Sequence, residues 1–157
     1  MTVDGTIRAG WGFYVSTCSH RYLIDFCGPL HSSPLHPCFL GAQRLTNNTA
    51  ELTAMLLAFR WATAHCAGRT VVLEYDSTYA ANLVQRLWRP STNFGLVLAA
   101  RASFDAACDV ATFTWRHIDS HTGEQLNERA DALAKHGASR QLLRCSLPSH
   151  LTCLGLS

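Results

Sequence analysis

The chain has 157 residues, the size of one domain. Hydrophobic residues make up 48% and charged ones 15%, which is too apolar for a disordered chain, and no apolar run approaches the ~20 residues a membrane span needs. The formal net charge of +2 neither demands nor excludes a nucleic-acid partner, and of the 13 basic residues only Lys135 is a lysine.

Asp4 closes a short first strand and runs into Gly5 and Thr6. Trp11–Val15 is aromatic and β-branched, and so is Tyr22–Cys27; the polar stretch 16–21 between them predicts a hairpin. Pro29, Pro34 and Pro37 make 28–44 a loop. From Thr46 to about Cys66, Leu52, Met55, Leu56, Phe59 and Ala62 recur at three- and four-residue steps, predicting a helix that Gly68 ends. Val71–Tyr75 reads as a strand buried in a parallel sheet. A second helix follows to about Leu87, with Asp76 or Ser77 as its cap. Pro90 interrupts, and Thr92–Ala107 is a third helix. Ala111–Arg116 alternates as a strand, and Glu124–Ala138 is a fourth helix with Leu126, Ala130, Leu133 and Ala134 on one stripe. Residues 141–157 show no period and form a tail, leaving 1–140 as the domain. Hairpin strands followed by strand–helix alternation predict an α/β domain with a mixed sheet and helices on its faces.

Seven cysteines with no C-x-x-C pair argue against a disulfide framework or a zinc knuckle and are expected to be small buried apolar residues in a reducing compartment. The N-terminus carries no basic-then-apolar leader, so an intracellular setting, cytoplasm or nucleus, is expected.

Four carboxylates draw attention by position. Asp4 and Asp76 lie at strand ends, Glu51 in the first turns of the first helix, and Asp131 near the apolar stripe of the fourth. Carboxylates gathered at one place repel unless a cation neutralises them, and oxygen ligands suit magnesium or manganese better than zinc. Such a set could serve phosphodiester cleavage. Each residue has a plainer role to weigh against this: a turn for Asp4, an Asn48–Glu51 capping box, a helix cap for Asp76, a solvated helix charge for Asp131.

The flanking residues decide between these. Thr46-Asn47-Asn48-Thr49-Ala50-Glu51-Leu52 resembles the T-N-N-x-x-E-L segment of type I ribonuclease H. Asp4-Gly5-Thr6 resembles that family's opening, and Asp76-Ser77 its D-S after an apolar strand. His121-Thr122-Gly123 with Asn127-Glu128-Arg129-Ala130-Asp131-Ala132-Leu133-Ala134 resembles its ending. The segments occur in the family's order across roughly residues 1–138. The resemblance implies a five-stranded mixed sheet, three antiparallel hairpin strands and then two parallel, flanked by helices. It implies cleavage of the RNA strand of RNA–DNA hybrids, leaving 5′-phosphate and 3′-hydroxyl ends. Asp4, Glu51, Asp76 and Asp131 would hold two Mg2+ ions, with Mn2+ a substitute, and His121 would serve proton transfer or product release. Gly5, Asn47 and Asn48 would face the RNA strand, where amides can read 2′-hydroxyls. Arg44, Thr46 and Asn93 would grip a DNA phosphate, and Ser77 and Asn127 would also touch substrate, with helix capping the alternative for Asn127.

Three departures from the family pattern matter. The first strand is short, the loop from Gly5 to Trp11 is short, and 88–93 lacks the lysine-rich protrusion of cellular relatives, leaving Arg86, Trp88 and Arg89. Weak substrate grip is then expected, as suits a monomeric domain working beside a reverse transcriptase in a retroelement polyprotein. The alternatives are a catalytically weak or inactive hybrid-binding domain, and an integrase-like nuclease. The intact carboxylate set argues against the first and the T-N-N-x-x-E segment against the second.

Overall fold

The computed structural model describes residues 2–3, 6–7, 9–17, 19, 22–119 and 125–139. Two short strands, β1 (Thr2–Val3) and β2 (Thr6–Ile7), pair with each other antiparallel. Strand β3 (Gly10–Ser16) pairs antiparallel with β4 (Tyr22–Pro29), in register from Gly10–Pro29 to Val15–Ile24 with an irregularity before Ser16. Helix α1 follows at Asn47–His65, then β5 (Thr70–Tyr75), α2 (Thr78–Val84), α3 (Phe94–Val110), β6 (Thr112–His117) and α4 (Gln125–Ser139). Strands β5 and β6 run parallel, paired from Thr70–Thr112 to Tyr75–His117. The hairpin, the parallel pair and the four helices stand where the sequence pattern puts them, within a few residues. Strand β4 takes in Pro29, which the sequence assigns to the loop.

Two expectations change. Among the described residues the strands form three separate two-stranded ladders, because β1 pairs with β2 and with neither β3 nor β5. The parallel pair is also not buried on both faces. Val71, Leu73, Tyr75, Phe113 and Trp115 turn inward, while Val72 is 46% exposed and Thr70, Thr112 and Thr114 are also exposed. The pair has therefore kept the period-two alternation of a one-sided sheet.

The main core lies between α1, α3 and the inner face of β5–β6. Leu52, Leu56, Phe59, Leu83, Leu96 and Val97 are fully buried there. Phe59 is its centre: its ring meets Phe104 at 4.9 Å, Phe113 at 5.7 Å and Trp115 at 6.0 Å, in the tilted and edge-on geometries aromatic quadrupoles favour. Each such side chain contributes about 1.5–3 kcal/mol by leaving water.

Helix α4 covers the β3–β4 hairpin by a different device. A Cβ on Gly10 would overlap the backbone of Ala134, Gly137 and Ala138. One on Gly12 would overlap Leu133 and Ala134, and one on Gly137 would overlap Gly28. The helix thus lies backbone-to-backbone on the strands, a closeness that glycine alone permits. Between the two halves, Phe26 of β4 reaches Trp61 of α1 at 6.4 Å, and the Tyr14 hydroxyl donates to Glu74 at 3.4 Å, whose carboxylate also pairs with Arg116.

Candidate active site

The segment 39–51 builds one wall of the site. Gly41, at φ 104°, brings the chain against the first turn of α3 at Gly95 and Leu96, a left-handed conformation that favours glycine. Gln43 and Asn93 then lock together. The Gln43 N–H donates to Asn93 Oδ1 at 2.9 Å, and the Asn93 N–H donates to Gln43 Oε1 at 2.7 Å. Asn93 itself sits left-handed at φ 55°, a region asparagine tolerates, and is 5% exposed. This places Arg44, exposed and next in the chain, beside the start of α3. Asn93 is brought to Arg44 and Thr46 as the sequence suggests, but its carbonyl oxygen serves the clamp and its amide nitrogen donates to Thr92 Oγ1 at 3.4 Å. Gln43 carries no local signal, since its partner is fifty positions away.

Helix α1 begins on Thr46. The Thr46 hydroxyl accepts the Thr49 N–H, the Thr46 N–H donates to Thr49 Oγ1, and the Thr49 hydroxyl donates to Arg44 O at 2.7 Å. The capping box is therefore Thr46 with Thr49, and the expected alternative role for Asn48 and Glu51 is corrected: the fully buried Thr49 sits three residues into the helix, where a box must close. Asn47 and Asn48 stand exposed in the first turn, and half-buried Glu51 follows one turn on, four residues after Asn47.

Asp76 follows directly on β5, whose last carbonyl, Tyr75 O, accepts the Ile118 N–H at 2.9 Å. Ser77 caps α2, its Oγ accepting the Ala80 N–H at 3.2 Å. The cap is thus Ser77 and not Asp76, which stands half-buried at the carboxyl end of a parallel strand, the edge where open α/β sheets place their reacting groups. Leu52 and Met55, flanking Glu51, and Leu73 and Tyr75, leading to Asp76, belong to one apolar cluster, so both carboxylates ride on the same rigid body.

Asp131 and Asn127 lie within α4. For Asn127 this excludes the N-cap alternative, because the helix already begins at Gln125. Asp131 precedes by two residues the point where Leu133 meets Gly12. Asp4, Gly5 and His121 fall outside the described residues.

Of the residues left where the family carries its protrusion, Arg86 is committed. It makes two hydrogen bonds to Asp105, at 3.1 and 2.6 Å, which raise its pKa above the ordinary value. Trp88 is 49% exposed, and the Arg101 guanidinium donates to its carbonyl at 3.0 Å. The cysteines depart from expectation as well. Cys66 is buried, but Cys27 and Cys38 are half-buried, Cys108 is exposed, and all four are free thiols.

Glutamate and aspartate oxygens held at element ends by neighbouring caps form a hard donor set, which fits Mg2+ or Mn2+ in kind. No described helix is long and apolar enough to cross a membrane.

Comparison with known proteins identifies the family. The chain matches the family RNase H over residues 30–139. It is 32% identical to the Ribonuclease H of Actinobacillus succinogenes over 116 residues, covering 66% of this chain and 71% of that protein. It is 30% identical to the Ribonuclease HI of Neisseria meningitidis over 140 residues, covering 83% and 85%. The fold is similar to that of RNase H1 from the archaeon Halobacterium salinarum, with a TM-score of 0.64 at 18% identity, covering 88% of this chain and 92% of that one. It is also similar to the N-terminal RNase H domain of a Mycobacterium tuberculosis protein, with a TM-score of 0.58 at 18% identity, covering 84% and 91%. The match over residues 30–139, together with relatives named Ribonuclease H and Ribonuclease HI, makes this chain a member of the ribonuclease H family and an enzyme of that kind.

Proposed function

We propose that the chain cleaves the RNA strand of RNA–DNA hybrids at a site made by Asp4, Glu51, Asp76 and Asp131, leaving 5′-phosphate and 3′-hydroxyl ends. The observation that carries this is Asp76: half-buried at the carboxyl end of β5, with the helix-capping task beside it performed by Ser77. Glu51 supports it in the same way, since Thr46 and Thr49 close the cap of its helix. The four carboxylates would hold two Mg2+ ions, or Mn2+ in their place. Bound there, the ions supply Lewis acidity and lower the pKa of a water, while the carboxylates fix their spacing. His121 would move the proton at the leaving oxygen or hasten product release.

The protein's own residues set the substrate. Asn47 and Asn48, exposed in the first turn of α1, offer amides to the 2′-hydroxyls of the RNA strand where Gly5 lets it approach. Ser77, the cap of α2, and Asn127 of α4 would also touch substrate. Arg44, held beside Asn93 by Gln43, supplies the cation for a phosphate of the DNA strand, with Thr46 at its side. In this reading, the first strand, ending at Asp4, completes a five-stranded mixed sheet with β3–β4 and β5–β6. The engagement of Arg86 with Asp105 leaves the exposed Arg89 as the cation at the α2–α3 turn. That favours a weak intrinsic grip, as in a domain that works beside a reverse transcriptase.

The test is cleavage of end-labelled hybrid, duplex DNA and duplex RNA in Mg2+. RNA-strand cutting confined to the hybrid supports the reading; cutting of duplex DNA would replace it with an integrase-like activity.

A further inference from the structure

We propose that His31, His36 and Cys38, in the loop between β4 and α1, form a second metal site that takes a zinc-type transition-metal ion and staples that loop.

Their ligating atoms all lie within 4.8 Å of one another. Tetrahedral zinc bonds of ~2.0–2.3 Å place ligand atoms about 3.3–3.8 Å apart, so the donor atoms draw together by about an ångström to close onto an ion. The imidazoles stack face to face, with centroids 3.5 Å apart and planes 9° from parallel. On binding the stack must open, because two lone pairs have to turn toward one point. The Cys38 N–H donates to His36 Nδ1 at 3.1 Å, which fixes that ring beside the thiol. A cation either takes the Nδ1 lone pair in place of this N–H or binds Nε2 after the ring proton has moved. Either course gives up one neutral hydrogen bond for a metal–nitrogen bond.

The segment is already shaped for the task. Turn bonds from the His36 N–H to Ser33 O at 3.0 Å and from the Phe39 N–H to His36 O at 2.9 Å coil it. Pro34 and Pro37 limit its freedom, which lowers the entropy lost on ordering. Its ends are anchored: the Leu30 N–H donates to Ala9 O, Leu30 is 3% exposed and Ala42 is 1% exposed. His31 and Cys38 are half-buried, within reach of an incoming ion.

The donor chemistry separates this site from the carboxylates. Two imidazole nitrogens and a thiolate suit zinc and its neighbours, whereas Mg2+ prefers oxygen. Three protein ligands leave a fourth position for water. Because the loop leads through Gln43 and Arg44 into the first turn of α1, a staple here would stiffen the approach to the substrate-facing residues without touching the carboxylates.

The experiment is a Co2+ titration of the chelator-stripped full chain, under reductant and with excess Mg2+ present. One equivalent should produce the thiolate-to-cobalt absorption of a four-coordinate site, which zinc then displaces. Cys38→Ser should abolish that absorption, and His31→Asn or His36→Asn should weaken binding more than about tenfold. Zinc should also raise the melting temperature of the parent with increasing concentration and leave the variants unmoved. Stripped variants that melt with the stripped parent show that folding is intact. No thiolate absorption in the parent, or an undiminished one in Cys38→Ser, overturns the proposal.

Discussion

The two sides of the proposed carboxylate site are held by opposite means. Glu51 and Asp76 ride on α1 and β5, which are fixed by large side chains interlocking around Phe59. Asp131 rides on α4, which is fixed by the absence of side chains at Gly10, Gly12 and Gly137. The first arrangement fails when atoms are removed, the second when atoms are added.

The most damaging test removes the ring at the centre of the first region. Phe59→Ala should cost about 3–5 kcal/mol in denaturant unfolding, from lost burial and the cavity left among Phe104, Phe113 and Trp115. Phe59→Leu should recover much of this, and a result near zero for the alanine variant would mean that the cluster is not the core. The reverse test adds atoms to the second region. Gly12→Val should cost about 1–3 kcal/mol, and it should depress hybrid cleavage further than that loss explains, because it lifts the helix that carries Asp131. Equal falls in stability and cleavage would detach α4 from the site. Smaller still, Thr49→Ala should cost about 1–2 kcal/mol by undoing the capping box and the bond to Arg44 O, while Thr49→Ser should stay close to the parent.

The smallest effect is a pH dependence in the satellite cluster behind α1. Burial pushes the Cys66 thiol up, with Arg69 pulling more weakly the other way. Above the ordinary thiol value the unfolded chain ionises this group while the folded chain keeps its proton, so stability is lost as pH rises through that range. Unfolding midpoints measured between pH 8 and 10 should fall more steeply for the parent than for Cys66→Ala; parallel lines would remove Cys66 from the account.

The comparison also shows what the sequence makes legible. Helix α1 is plain because Leu52, Met55, Leu56 and Phe59 repeat at the helical period, and the hairpin is plain because a polar stretch separates two aromatic strands. The T-N-N-x-x-E and D-S segments mark Glu51 and Asp76, since each sits at an element end that local pattern reveals. Long-range partnerships were hidden. Nothing near Gln43 announces Asn93, and nothing in the spacing of Gly10, Gly12 and Gly137 announces that three elements press together there. A glutamate three residues after an asparagine makes Asn48 and Glu51 resemble a capping box, whereas Thr46 and Thr49 form it. A C-x-x-C pattern does not reveal Cys38, whose neighbours in space are His31 and His36.

The central claim rests on Asp76, and the most direct measurement is cleavage of a labelled RNA–DNA hybrid in Mg2+ by the parent and by Asp76→Asn, with hybrid binding followed in parallel. The account predicts RNA-strand cutting by the parent, a loss of several orders of magnitude in the variant, and binding retained by both. Cutting that survives the substitution would contradict it.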